Sequence, residues 1–333
     1  MTVNIGLIGT GVMGADHART LATQVAGVRL RALTDADATR ARSVAAETAA
    51  ETIAADPLAV INDPTVDAVL IASPDHTHHD LTLACIAAGK PVLCEKPLAP
   101  TSRECLDIVA AEVALGRRLV QVGYMRRFDP AYTEMKATLQ SGRLGLPLFF
   151  HCVHRNLSAP PWFDSKMAIS NSAVHEIDIS RWLLEEELTS IQVFQPATSN
   201  PNATVSPVFL VMRTASGKLV NVENNNNGGY GYDVKGEVAC EKGAVSLRSP
   251  LNSEVSFGQI QGTSYPADWR PRFANAYRLQ LQAWVKSIET GTPAGASAWD
   301  GYAASAVGEA GLAALASGTA VSIAMQAKPS LYA

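Results

Sequence analysis

Two clusters of residues in this chain have types and spacings suited to chemistry. The first opens the sequence. The apolar run Ile5-Gly6-Leu7-Ile8 leads into Gly9-Thr10-Gly11-Val12-Met13-Gly14, which reads G-x-G-x-x-G, and an acid follows at Asp35. In this pattern Gly9 makes a tight turn, Gly11 lets backbone approach a pyrophosphate, and Gly14 lets the next helix pack close to the strand. The helix N-terminus then offers free N–H groups and a partial positive charge to phosphate. A second strand, Val28 to Leu33, follows, which favours a dinucleotide site over a ligand-free glycine turn. Asp35 can accept hydrogen bonds from both ribose hydroxyls and would repel a 2′-phosphate. It is followed by Ala36 rather than arginine, so NAD is expected over NADP. Arg40 and Arg42 stand nearby, and the plainer role for Asp35 is to cap the helix that begins around Ala36.

Ligands of open parallel sheets sit off the carboxyl ends of the strands. Three such ends carry polar residues: Ser73-Pro74-Asp75-His76-Thr77-His78, Glu95-Lys96-Pro97 and Gly123-Tyr124-Met125-Arg126-Arg127. Proline fixes its own φ and restricts its predecessor, so Lys96 is held in place, whereas an ordinary surface lysine would only pair with Glu95. The second cluster is Asn171, His175 and Asp178, at i, i+4 and i+7 of a run that reads as helix. Those positions share one face, while Val174, Ile177, Arg181 and Leu184 line another stripe. A lone histidine is more often structural. An amide, an imidazole and a carboxylate together are costly to bury unless they are satisfied or used.

The elements that must position these residues fall into two regimes. Apolar runs at 3–8, 28–33, 67–72, 91–94 and 118–122, separated by helical patterns, predict buried parallel strands in a doubly wound sheet. Near Gly123 the rhythm changes. After a helix from Pro130 to Gln140, period-two segments predict a mostly antiparallel sheet of five or six strands: Pro147–His154, Ile191–Pro196, Val208–Thr214, Leu219–Asn224, Val234–Cys240 and Ala244–Arg248. Helices near 274–290 and 298–317 close the chain. The expected fold class is therefore α/β, with a dinucleotide-binding domain at 1–123 and an α+β domain with a large open sheet at 124–333. The asparagine-rich segment Asn224 to Gly229 reads as a polar turn.

The 333 residues have room for two domains. A hydrophobic fraction of 47% and a charged fraction of 17% describe a globular protein with a large core, and a net charge of -4 shows no bias toward nucleic acid or anionic membrane. The weakly polar stretch Ala303 to Met325 contains Glu309 and several serines and glycines, so it reads as a buried helix and strand rather than a membrane span. No basic region precedes the first strand, so no signal peptide is expected. The five cysteines, Cys85, Cys94, Cys105, Cys152 and Cys240, match no metal motif, and their odd number fits a reducing cytoplasm. The expected partner is a small molecule, with no nucleic acid, membrane or metal.

Glu95-Lys96-Pro97 after the glycine fingerprint, with His-x-x-Asp on a later helix, resembles the Gfo/Idh/MocA oxidoreductases. The blocks Cys94–Ala99 (CEKPLA), Leu119–Asp129 (LVQVGYMRRFD), His151–Asn156 (HCVHRN), His175–Leu184 (HEIDISRWLL), Gly231–Asp233 (GYD) and Trp299–Tyr302 (WDGY) are similar to the bacterial inositol 2-dehydrogenase branch of that family. The resemblance implies that Lys96 and His175 are catalytic, with Asn171 beside them. It implies that Arg126, His154, Asn156, Asp178 and Tyr232 line a polyol pocket. Thr10, Met13, Asp35, Ser73, His76, Glu95 and Lys96 would line the cofactor cleft. It further implies NAD-dependent oxidation of a secondary ring alcohol of a cyclitol (myo-inositol or a stereoisomer such as scyllo-inositol) by a homo-oligomer, a tetramer in most relatives. Two departures stand out. The branch usually carries an aspartate where this chain has Asn171, which removes a charge that would raise the basicity of His175. The run Asn224–Asn227 also differs. These leave open a sugar dehydrogenase acting on an aldose at C1 or a glycoside at C3, and a glycoside-cleaving enzyme with tightly held NAD. A sensor of NAD(H) is disfavoured because both Lys96 and His175 are kept.

Overall fold

The computed structural model describes residues 2–199, 204–248 and 254–333. They form two compact units. The first holds a six-stranded parallel sheet of β1 (Val3–Ile8), β2 (Val28–Thr34), β3 (Thr52–Ile53), β4 (Ala68–Ile71), β5 (Val92–Cys94) and β6 (Val120–Val122), in the order β3-β2-β1-β4-β5-β6. Order reverses at β1, which pairs in parallel with both β2 and β4. The central strands are valine, isoleucine and leucine runs buried along nearly their whole length, as strands covered on both faces must be. β3 was not anticipated, because two residues carry no periodicity.

The crossover helices begin where their caps dictate. Asp37 accepts from Thr39 and Arg40 at the start of α2 (Ala38–Thr48), Asp56 caps α3 (Pro57–Asn62) ahead of a proline, and Thr101 with Glu104 forms a capping box on α5 (Ser102–Leu115). α1 (Val12–Gln24) differs. Its N-cap is Gly11 and no side chain caps it, so its first N–H groups remain available to a ligand. α4 (His78–Ala87) follows β4.

The expected division, with everything after residue 123 in a second domain, is corrected by the chain path. The chain leaves the first unit after Phe128 and returns to it for Asn275–Ser305 and Gln326–Ala333. Hydrophobic burial explains the return. In α9 (Trp269–Thr290), Leu281, Trp284 and Val285 complete the core formed by Ile5, Leu7, Leu30, Leu70 and Leu93. At the end of the chain the Tyr332 hydroxyl donates to Glu112 over 2.5 Å. Sequence periodicity cannot show which sheet a distant helix covers.

The second unit contains a seven-stranded sheet. Its strands are β7 (Pro147–Arg155), β8 (Leu188–Phe194), β9 (Val208–Thr214), β10 (Leu219–Asn225), β11 (Asp233–Cys240), β12 (Gly243–Ser246) and β15 (Val321–Ser322), in the order β12-β11-β7-β10-β9-β8-β15. All pairs are antiparallel except β7 with β10. A separate hairpin joins β13 (Val255–Phe257) to β14 (Ile260–Gly262). One face of the large sheet is buried, with α8 (Val174–Leu184) on β7 and α6 (Pro130–Gln140) against α8. The other face exposes Phe149, Phe194, Phe209 and Leu219. α10 (Ala298–Ser317) begins in the first unit and ends in the second.

Candidate active site

In the first unit the residues of the glycine fingerprint meet distinct steric demands. Gly9 has φ +92°, and a Cβ there would lie 2.6 Å from the backbone of Ala72 and Ser73. A Cβ on Gly14 would strike the Gly9 carbonyl, while one on Gly11 would meet nothing within 4 Å. Two of these glycines thus serve the fold, and the third leaves open space at the mouth of α1. That space belongs to a cavity of about 750 Å³ lined by Gly9, Gly11, Met13, Asp35, Ser73 and His76 among others. Uncapped helix N–H groups at one part of the lining and an acid at another fit a pyrophosphate and a ribose, so the residues present suit NAD.

Asp35 is held ionised. Its Oδ2 accepts from the Thr10 amide (2.6 Å) and hydroxyl (2.8 Å), and its Oδ1 accepts from the Asp37 amide (2.7 Å) and Arg40 (2.9 Å). Partial burial pushes its carboxyl up, but Arg40 and these donors outweigh it and bring the pKa down to about 2. Thr10 is buried and does not line the cavity; it acts on Asp35. Glu95 is likewise buried and outside the lining. Its Oε1 meets His17 Nε2 at 2.7 Å and its Oε2 accepts from the Lys96 amide at 3.2 Å. Burial alone would raise the Glu95 pKa; the His17 hydrogen bond and the Lys96 charge bring it below its ordinary value. Gly123 makes room, since a Cβ there would lie 2.7 Å from Glu95 Oε2.

Lys96 stands at the end of β5, and its bond to Pro97 is cis. Desolvation lowers its pKa against the opposing charges of Glu95 and Asp75, and Arg126 adds to the lowering. His78 ties the neighbouring loops. Its Nδ1 lies 2.7 Å from the Pro97 carbonyl and its Nε2 lies 2.9 Å from the Ser73 carbonyl. Carbonyls only accept, so the two contacts favour a ring protonated on both nitrogens, the imidazolium. Burial opposes that charge; the Cys94 sulfur and the two carbonyls outweigh it and raise the pKa to about 10.

The second unit carries the other candidates. The run expected to be one helix is broken in two. α7 (Ser165–Met167) passes into a π turn, Ala168–Ser172, and α8 begins at Val174. His175 and Asp178 share a face of α8, but Asn171 lies on the π turn before it, so the i, i+4 argument does not hold for Asn171 as made. Asp178 is buried. His154, at the end of β7, lies 3.1 Å from Glu176 Oε2 through Nδ1, and its ring meets Tyr232 edge-on at 5.7 Å. Asn156 follows β7, its amide donating to Asn225 and its carbonyl accepting from Gly228. Arg126 belongs to the first unit, on the turn Met125–Phe128, and is buried. Among the described residues, no group of three or more His, Cys, Asp or Glu could hold a metal ion, and no helix is long and apolar enough to cross a membrane.

Residues 3–124 match an oxidoreductase family model described as an NAD-binding Rossmann fold, and residues 136–323 match the same family's C-terminal α/β domain. The chain belongs to the Gfo/Idh/MocA oxidoreductase family. Among its relatives in that family, inositol 2-dehydrogenase 1 of Saccharopolyspora erythraea is 53% identical over 100% of this chain and 99% of its own. The inositol 2-dehydrogenase of Streptomyces avermitilis is 43% identical over 99% and 97%. Among solved structures, myo-inositol dehydrogenase from Lactobacillus casei, in complex with NAD(H) and myo-inositol, superposes with a TM-score of 0.96. It is 31% identical, and the match covers 100% of both chains. As a Gfo/Idh/MocA oxidoreductase this chain is an NAD-dependent enzyme.

Sequence reasoning missed His17, Glu176, Asn224 and Asn226 as parts of these networks, and placed His78 at a strand end without its bonds to Ser73 and Pro97. For Asn224 a signal existed. The alternation of β10 puts it on the buried face with Val220 and Val222, so the run begins as strand, and the expected polar turn is confined to the residues from Asn226 on. Buried histidines such as His17 and His78 give no such pattern.

Proposed function

We propose that this oxidoreductase oxidises a secondary ring hydroxyl of myo-inositol or a stereoisomer to the keto-inositol, with NAD as acceptor. Identity of 53% across the whole length of an inositol 2-dehydrogenase carries the reading, because the chain also keeps Lys96, His175 and Asp178. Bound in the cavity of the first unit, NAD supplies the hydride acceptor. His175 takes the hydroxyl proton as general base, a task suited to imidazole at neutral pH. Lys96, as ammonium, is suited to donate a hydrogen bond to an alcohol oxygen and to stabilise growing negative charge on it. Asp178, Asn156, His154 and Tyr232 hold the neighbouring hydroxyls. A site that bonds each hydroxyl rejects epimers, because a misplaced one leaves buried polar groups unpaired. Asn171 in place of an acid favours a second reading, a sugar dehydrogenase acting on an aldose or glycoside.

The deciding experiment measures NADH formation with myo-, scyllo- and chiro-inositol, then with common aldoses and glycosides. Turnover on an inositol is the expected result; turnover confined to aldoses or glycosides would replace this reading with the second. We further assign the enzyme to the cytoplasm, consistent with its five free cysteines. We also assign it to a homo-oligomer, probed by light scattering, in which the exposed row of Phe149, Phe194, Phe209 and Leu219 is covered. A monodisperse monomer would contradict the oligomer.

A further inference from the structure

We propose that Asn224 and Asn226 are positioning residues for the reaction: they grip both ends of the π turn that carries Asn171 and leads into His175. The proposal rests on His175 being the proton acceptor. β10 runs parallel to β7 with Asn224 opposite His154, and the Asn156 amide donates to the Asn225 carbonyl at 3.0 Å. In-register neighbours share a face of a sheet. Asn224 therefore stands on the face of His154, and Asn226, two residues on, is buried with it; the two are 0% and 2% exposed.

Both amides reach the turn. Asn224 Nδ2 donates to the Ala168 carbonyl at 3.0 Å, and Asn226 Nδ2 donates to Ser172 Oγ at 2.9 Å. Ala168 and Ser172 are the first and last residues of the π turn. The Ala168 carbonyl also accepts from the Ala173 amide at 3.0 Å, the i+5 bond that makes the turn wide. A carbonyl cannot donate, so the Asn224 amide nitrogen must face it. Glycines of α10 let the turn sit close: a Cβ on Gly311 would lie 2.9 Å from Ile169 Cγ2, and one on Gly308 would lie 3.9 Å from Ser170 Cα.

Stability alone does not explain these asparagines. Apolar residues would continue the buried row of Val220 and Val222, whereas the Oδ1 atoms of Asn224 and Asn226 are buried with no hydrogen-bond partner among the described residues. Such unmet buried acceptors destabilise a fold. π turns are rare and concentrate at functional sites. Relaxation of this one to regular helix would rotate Asn171 relative to His175 by roughly one residue, ~100°. The clamp thus fixes which way Asn171 faces when His175 takes a proton.

The test uses Asn224→Val, which continues the apolar row, and Ser172→Ala, which removes the partner of Asn226 with little change of shape. Amide hydrogen exchange over residues 169–175 is read by mass spectrometry in the whole enzyme, alongside the pH–rate profile with myo-inositol and NAD. Exchange in that segment should quicken by about tenfold in Asn224→Val, the equivalent of one lost buried hydrogen bond. In both variants kcat should fall, the acid limb should shift, and the KM for NAD should hold. Unchanged exchange, or a raised KM for myo-inositol with kcat and the acid limb intact, would overturn the proposal. If the wild-type enzyme fails to oxidise any inositol, the functional reading fails, while the exchange measurement still decides the clamp.

Discussion

His17 Nε2 lies 2.7 Å from Glu95 Oε1, with both side chains buried. The pair fixes a carboxylate directly before Lys96, and that carboxylate raises the Lys96 pKa against the lowering by desolvation. Glu95→Gln keeps an acceptor for His17 but removes the charge. The Lys96 pKa should then fall further, and the alkaline limb of kcat/KM should move to lower pH. An alkaline limb that stays in place would show that Lys96 does not titrate in that limb.

Asp35 is predicted to govern the choice of cofactor. Asp35→Ala removes the ribose acceptor and frees Arg40 from its 2.9 Å bond. We expect the KM for NAD to rise by about tenfold, the loss of a charge-assisted hydrogen bond, and use of NADP to improve. Steady-state kinetics with both cofactors checks this. An unchanged ratio of kcat/KM for NAD over NADP would contradict it.

Asn171→Asp would restore a charge near His175. A neutral base is needed for proton abstraction, and a nearby carboxylate favours the imidazolium. The acid limb of the pH–rate profile should therefore move to higher pH. No movement would show that position 171 is not coupled to the histidine.

His78 links stability to pH. Its pKa is raised in the fold to about 10 from an ordinary 6.5, so its contribution is complete below about 6.5, declines as pH rises, and is gone above about 10. His78→Gln should cost about 3 kcal/mol near pH 6, two charge-assisted hydrogen bonds. The melting-temperature gap from wild type should narrow toward pH 10. A gap independent of pH would contradict the imidazolium.

Particular residues show what the sequence could and could not convey. Gly9, Gly11, Gly14 and Asp35 were legible because turn geometry and phosphate approach demand fixed residues at fixed spacing. The helix Pro130–Gln140 was legible from its proline start and its period. Leu281, Trp284 and Val285 return to the first sheet, which local pattern cannot convey because the partner lies far away in the chain. The π turn was hidden because one extra backbone residue leaves no mark on side-chain type. Asn224 was misread because composition was weighed ahead of the strand alternation that buries it; Asn226 does sit in the expected turn, but buried.

The central claim is hydride transfer from an inositol ring carbon to NAD. The most direct test incubates the enzyme and NAD with myo-inositol deuterated at C2 and analyses the nicotinamide product. The account predicts NADH carrying the deuterium, together with a keto-inositol, and loss of both in Lys96→Ala. NADH without deuterium, or equal turnover by Lys96→Ala, would contradict it.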